Sequence, residues 1–110
     1  NENPDDENIT NLLYDSDLNK MLVNPSLELY KNKNFSTFYY KDGLLFDQIL
    51  LSNNFFEENS GLKFAEAKVF NHPKLANWVG NFKGKPFRTF AGTRYLGGYS
   101  DHFPVLTQFL

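Results

Sequence analysis

The stretch L-L-F-D-Q-I-L-L, residues 44–51, limits the folds open to this chain more than any other feature. Leu45, Phe46, Ile49, Leu50 and Leu51 place apolar side chains on both faces of an extended segment. Such a strand needs cover on both sides, so it lies centrally in a sheet. One charge, Asp47, interrupts it. A carboxylate is costly to bury unpaired. The fold must bring it a donor. That donor is either a neighbouring backbone or side-chain group, or a histidine ring whose orientation the carboxylate sets.

The segments around this run read in turn. F-S-T-F-Y-Y-K precedes it, and Asp42-Gly43 lies between the two β-prone runs. Both turn residues tolerate positive φ, so the pattern predicts a hairpin turning at Asp42-Gly43. Nearer the start, Ile9, Leu12, Leu13, Leu18, Met21 and Leu22 recur near helical spacing and predict a helix over 7–22. Asp5, Asp6 and Glu7 before it and Lys20 near its end suit the helix dipole. Asn24-Pro25 stops it. Residues 53–63 are polar and loop-like, a short strand follows at 63–70, and Asn71-His72-Pro73 turns the chain. Residues 80–98 read as a long surface loop, and long loops in compact domains tend to carry function. Residues 102–110 read as a closing strand.

Composition removes several classes of function. A length of 110 residues is one domain. Hydrophobic residues at 41% and aromatics at 17% argue for a packed fold rather than disorder. A net charge of -2 gives no strong pull towards nucleic acid or an anionic membrane. The absence of cysteine excludes thiol catalysis, disulfides and thiolate zinc sites, and leaves the compartment open. No apolar run approaches the roughly 18 residues of a membrane span. The first residue is Asn rather than Met, which reads as a cut or processed piece.

The candidate chemistry lies in Y-S-D-H-F-P-V, residues 99–105. His102 follows Asp101 at the lip of a strand. As a bare pattern this is a surface turn. It becomes a site if a second carboxylate fixes the imidazole tautomer, and Asp47 is the candidate. In the 80–98 loop, Lys83, Lys85, Arg88 and Arg94 alternate with Phe82, Phe87, Phe90 and Tyr95. Basic residues interleaved with aromatics hold phosphates and stack bases; the plainer reading is a solvated loop packing its rings on the core. Arg88 and Arg94 are the candidates for an anionic substrate, because the guanidinium fork fits oxyanions. Trp78 reads as packing and His72 as a turn residue. With two histidines and no cysteine, no zinc site forms.

These residues carry a resemblance. G-G-Y-S-D-H-F-P-V resembles the terminal S-D-H-x-P-V motif of the endonuclease/exonuclease/phosphatase superfamily, the deoxyribonuclease I-like phosphoesterases. L-F-D-Q-I-L-L-S is similar to that family's upstream strand motif, at a similar spacing. The opening N-E-N-P resembles the end of its G-D-F-N-x-x-P segment, which makes Asn1 that asparagine.

The resemblance implies an α/β (α+β) fold. It would be half of a four-layer α/β sandwich, with one mostly antiparallel sheet and the 7–22 helix flanking it. Residues 1–110 would form a single domain, the C-terminal portion of a larger phosphoesterase domain. His102 would contact the phosphate or act as general base or acid, and Asp47 would orient it. Asp101 would position metal or the attacking water, and Asn1 would orient nucleophile and phosphate. The reaction would be phosphoester hydrolysis with Mg²⁺ or Mn²⁺, the principal metal ligands lying in the N-terminal half. Alone, the chain is expected to be inactive. Its apolar sheet face would be covered by that half or by a second copy. The substrate carries a phosphate: nucleic acid, lipid head group or sugar phosphate. The rival reading is a non-catalytic binding domain that holds an anionic partner on its basic loop, and a third is a proteolytic fragment with no role of its own.

Overall fold

The computed structural model describes residues 1–110. It is a mixed α/β chain in which every strand pair is antiparallel. Helix α1 is Glu7–Thr10, followed by a 3-10 turn, Asn11–Leu13. Then come strand β1 (Leu22–Val23), helix α2 (Ser26–Lys31), β2 (Thr37–Tyr39), β3 (Asp42–Leu44) and β4 (Leu51–Ser52). Strands β5 (Phe64–Val69), β6 (Phe90–Ala91), β7 (Arg94–Tyr95) and β8 (Val105–Phe109) complete it. The strands pair as β1-β4, β2-β3, β5-β8 and β6-β7, four separate ladders rather than the one sheet predicted. The strands at 63–70 and at the C-terminus form where the sequence places them, and they pair with each other.

The helix predicted over 7–22 ends after its first turns. Asp15 is the reason. Its carboxylate accepts from the backbone N–H of Asp17 and of Asn19, both at 2.9 Å. Leu18 takes a left-handed φ of 63°. The chain reverses, and Tyr14 bridges Lys20. A local side-chain turn of this kind competes with the helix for the same backbone donors. Asn24-Pro25 is likewise the start of a helix rather than only the end of one. Asn24 Oδ1 accepts from Ser26 N–H at 3.0 Å, and α2 begins there. Burial, then the charges of Asp5 and Asp6, raise the Tyr30 phenol from its ordinary 10.0, so the acidic N-terminal segment lies close to α2.

The hairpin exists, but its turn is two residues earlier than predicted. Tyr39 pairs with Asp42, so Tyr40 and Lys41 form the loop and Asp42-Gly43 belong to β3. Gly43 is there for space. A Cβ on it would lie 1.9 Å from the Phe35 ring, which is held edge-on between Tyr30 and Phe38. Residues 45–50 join no strand, although the sequence predicts a central one. Their polar contacts come from side chains instead. Leu45 N–H donates to Asn3 Oδ1 at 2.8 Å, and Gln48 Nε2 donates to Glu2 O at 2.7 Å.

The core is small. Leu45, Val69, Ala76 and Phe103 are buried together, with Leu29, Tyr30, Phe38, Leu75 and Val105 packed around them. Only 12 of 110 residues are buried, and Leu18, Met21, Val79 and Leu110 are among the exposed apolar side chains. The radius of gyration is 16.3 Å, against about 13 Å for a compact domain of this length. The chain is open, with more apolar surface than its own core covers.

Two core residues bracket the chemistry: Leu45 lies two residues before Asp47, and Phe103 directly follows His102. Gly98 sets the approach of the second segment. Its N–H donates to Arg88 O at 3.0 Å, and Tyr99 N–H donates to Phe87 O at 2.9 Å. A Cβ on Gly98 would lie 2.1 Å from Phe87 O and 2.4 Å from Arg88 O. Both are backbone atoms, with no rotamer to move aside. Gly98→Ala is therefore predicted to cost about 1–3 kcal/mol. Urea unfolding measures it, and an unchanged midpoint would contradict this close approach.

Candidate active site

Ser36 joins the two segments that carry the site. It is fully buried and uses all three of its polar groups. Its N–H donates to Leu44 O at 2.9 Å, closing the hairpin. Its carbonyl accepts from Phe103 N–H at 2.6 Å. Its Oγ donates to Asp47 Oδ2 at 2.5 Å. Thr37, also buried, repeats the tie one residue on, with Oγ1 donating to Asp101 O at 2.7 Å. The 101–103 segment is thus fastened to residues 36 and 37, next to the carboxylate of Asp47.

That placement brings Asp47 the histidine, one of the two donors the sequence left open, beside the other. His102 Nδ1 lies 2.6 Å from Asp47 Oδ2. Both side chains are about a third exposed, at 34% and 36%. Ser36 Oγ–H already donates to the same oxygen, so the carboxylate accepts from both sides. With Nδ1–H donating to the carboxylate, the second ring nitrogen, Nε2, carries a free lone pair. A cavity of about 290 Å³ adjoins the pair, lined by Asp47, His102, Ser100, Tyr99, Leu75 and Phe103 among others. The His102 N–H donates to Ser100 Oγ at 3.1 Å, which fixes the turn before the ring. No buried side-chain nitrogen or oxygen lacks a partner.

The other predicted residues fall in different places. Asp101 is exposed, and its carbonyl rather than its carboxylate is held. Asn1 is exposed, while its neighbour Asn3 anchors the N-terminal segment to Leu45 and Pro4 is fully buried. Arg88 Nη2 donates to Phe38 O at 3.1 Å. Arg94 is exposed on β7, where it pairs with Ala91. Neither arginine lines the cavity at the dyad. No group of three or more His, Asp or Glu side chains is arranged to hold a metal ion. Ser36 and His102 both engage Asp47 Oδ2, while the Asp101 carboxylate, next to His102 in the chain, joins neither contact.

Ser36 and Thr37 are the residues that sequence reasoning missed. Their signal was present. Two hydroxyls sit on the strand just before the hairpin, within cross-strand reach of the charge in the apolar run, and that charge needs a donor.

A family model described as the Endonuclease/Exonuclease/phosphatase family matches residues 1–109. No curated protein and no solved structure matches the chain significantly.

Proposed function

Since the chain belongs to the endonuclease/exonuclease/phosphatase family, we propose that it supplies the histidine half of the active site of a metal-dependent phosphoester hydrolase. The observation that carries this reading is the Ser36–Asp47–His102 chain of hydrogen bonds. It holds one nitrogen of a half-exposed imidazole and leaves the other free beside a cavity. In hydrolysis, His102 Nε2 meets the substrate. It takes a proton from the attacking oxygen or gives a hydrogen bond to the phosphate. Asp47 keeps Nδ1 protonated and stabilises the imidazolium as it forms. Asp101 and Asn1 act beside the dyad on water and phosphate, and Arg88 and Arg94 offer charge to more distant phosphate oxygens.

The family implies Mg²⁺ or Mn²⁺, which would stabilise charge on the leaving oxygen. Magnesium takes about six oxygen ligands, often keeping several waters. No three His, Asp or Glu side chains gather to make such a site, so these residues do not fit the ion by themselves. We assign the remaining ligands to protein outside residues 1–110. The chemistry assigned to this chain is that of the proton and the phosphate contact.

The same incompleteness appears in the packing. An open chain with exposed Leu18, Met21 and Val79 needs its apolar surface covered. We assign that cover to the rest of the parent domain, completing a layered sandwich, or to a second copy. Residues 1–110 in isolation are predicted to self-associate or bind a hydrophobic dye. A monodisperse monomer on size-exclusion chromatography that leaves the dye dark would overturn this.

The test of function is hydrolysis of a simple phosphodiester by the longest chain the gene encodes, with Mg²⁺ or Mn²⁺. Loss of the proton-transfer group is predicted to lower kcat by about 10²–10⁴ in His102→Ala. Asp47→Asn is predicted to fall similarly, because an amide donates to the ring where a carboxylate accepts. Full activity in either variant would remove the dyad from the mechanism. Inactivity of the unaltered chain with every metal and phosphoester tried would favour the binding-domain reading.

A further inference from the structure

Strand β2 serves two places. Its lower end, with Ser36 just before it, holds the dyad. Its upper end borders a second cavity of about 330 Å³ that the dyad does not use. Phe38, Tyr39, Tyr40, Phe82, Lys85 and Arg88 are among the residues that line it, and none of its lining residues is acidic. Two cations and four aromatic rings therefore share one cavity.

The cations are built in rather than adrift. Lys85 Nζ donates to Tyr40 O, and Arg88 Nη2 donates to Phe38 O at 3.1 Å. Lys85 Nζ also lies 5.5 Å from the centroid of the Phe38 ring and 5.7 Å from that of Phe82. An ammonium has three donors and a guanidinium five, so each keeps donors for an anion after these bonds. The rings remain available too. Tyr39 is 67% exposed, Tyr40 75% and Phe82 61%. Tyr40 is held at a left-handed φ of 53°, a conformation that a tyrosine adopts only under constraint.

This cavity is tied to the dyad twice. Along β2, Phe38 follows Ser36 by two residues, about 7 Å of strand. Across the chain, Phe87 and Arg88 are hydrogen-bonded to Gly98 and Tyr99, which lead directly into Asp101-His102. A polymeric phosphodiester cut at His102 would lay its neighbouring unit along this path. Flat rings beside fixed cations recognise a planar base and its phosphate. A lipid head group presents no such ring.

We propose that the Tyr39–Phe82 cavity is a stacking site for a nucleobase of a single-stranded nucleic acid, with Lys85 and Arg88 facing its phosphates. This rests on the phosphoesterase reading of the dyad and names its substrate class. The test is fluorescence anisotropy with the full-length chain in chelator, so that nothing is cleaved. A short labelled DNA strand is compared with an abasic strand of equal length and charge. The base-bearing strand is predicted to bind about tenfold tighter.

Tyr39→Ala with Phe82→Ala is predicted to abolish that preference. The ring-preserving pair Tyr39→Phe with Phe82→Tyr keeps it, and so does His102→Ala. Equal binding of the abasic strand, or a preference that survives loss of both rings, would overturn the proposal. Binding to phosphatidylserine vesicles that disappears with the two rings, in place of base-dependent binding, would overturn it in favour of a lipid surface. Base preference without hydrolysis in any form would sustain the cavity and sink the hydrolase. Hydrolysis without base preference would sink the cavity alone.

Discussion

Asp47 carries a charge into an apolar run, and the chain answers it with Ser36 Oγ on one side and His102 Nδ1 on the other. Much of the structure follows from meeting that one requirement. Ser36 is fully buried, and its backbone groups close the hairpin and capture Phe103. Phe103 then packs with Leu45, Val69 and Ala76, so the polar joint and the small core hold each other in place. A hydroxyl, a carboxylate and an imidazole in series form a polar network that stiffens where every member is satisfied, as every buried member is here. The geometry of the Ser36–Asp47–His102 joint is thus a consequence of packing rather than an addition to it.

The same packing is slight. Few residues are buried, and the chain spans 48 × 30 × 22 Å. Its strands pair only two by two. The side chains of this chain nowhere bring three or more metal-ligating groups together. The open packing and the lack of a metal-ligating cluster are the two observations behind the proposal that other protein surface completes this site.

Asp47 as a candidate partner for His102 was legible in the sequence, because a carboxylate among leucines demands a donor, although a neighbouring hydroxyl or backbone group answered that demand equally well. Strands β5 and β8 were legible too, since each falls within a run the sequence marks as extended. Residues 7–22 were not. Their apolar spacing is helical, but the Asp15 carboxylate takes the N–H groups of Asp17 and Asn19 and turns the chain. The hairpin turn misled in the opposite way. Asp42-Gly43 has turn chemistry, yet Gly43 is spent on making room for Phe35, a tertiary demand with no local signature. Ser36 and Thr37 were hidden because a strand hydroxyl becomes important only once its partner, some eleven residues on or at the far end of the chain, is known.

The Ser36–Asp47 pair is expected to fix the His102 ring with Nδ1 protonated and Nε2 free. Nitrogen-15 NMR of the imidazole reads this directly at a pH where the ring is neutral. The account predicts a single Nδ1–H tautomer in the full-length protein, and a mixture of tautomers when Asp47→Ala removes the acceptor. An Nε2–H tautomer in the unaltered protein, or averaging between the two forms, would contradict it.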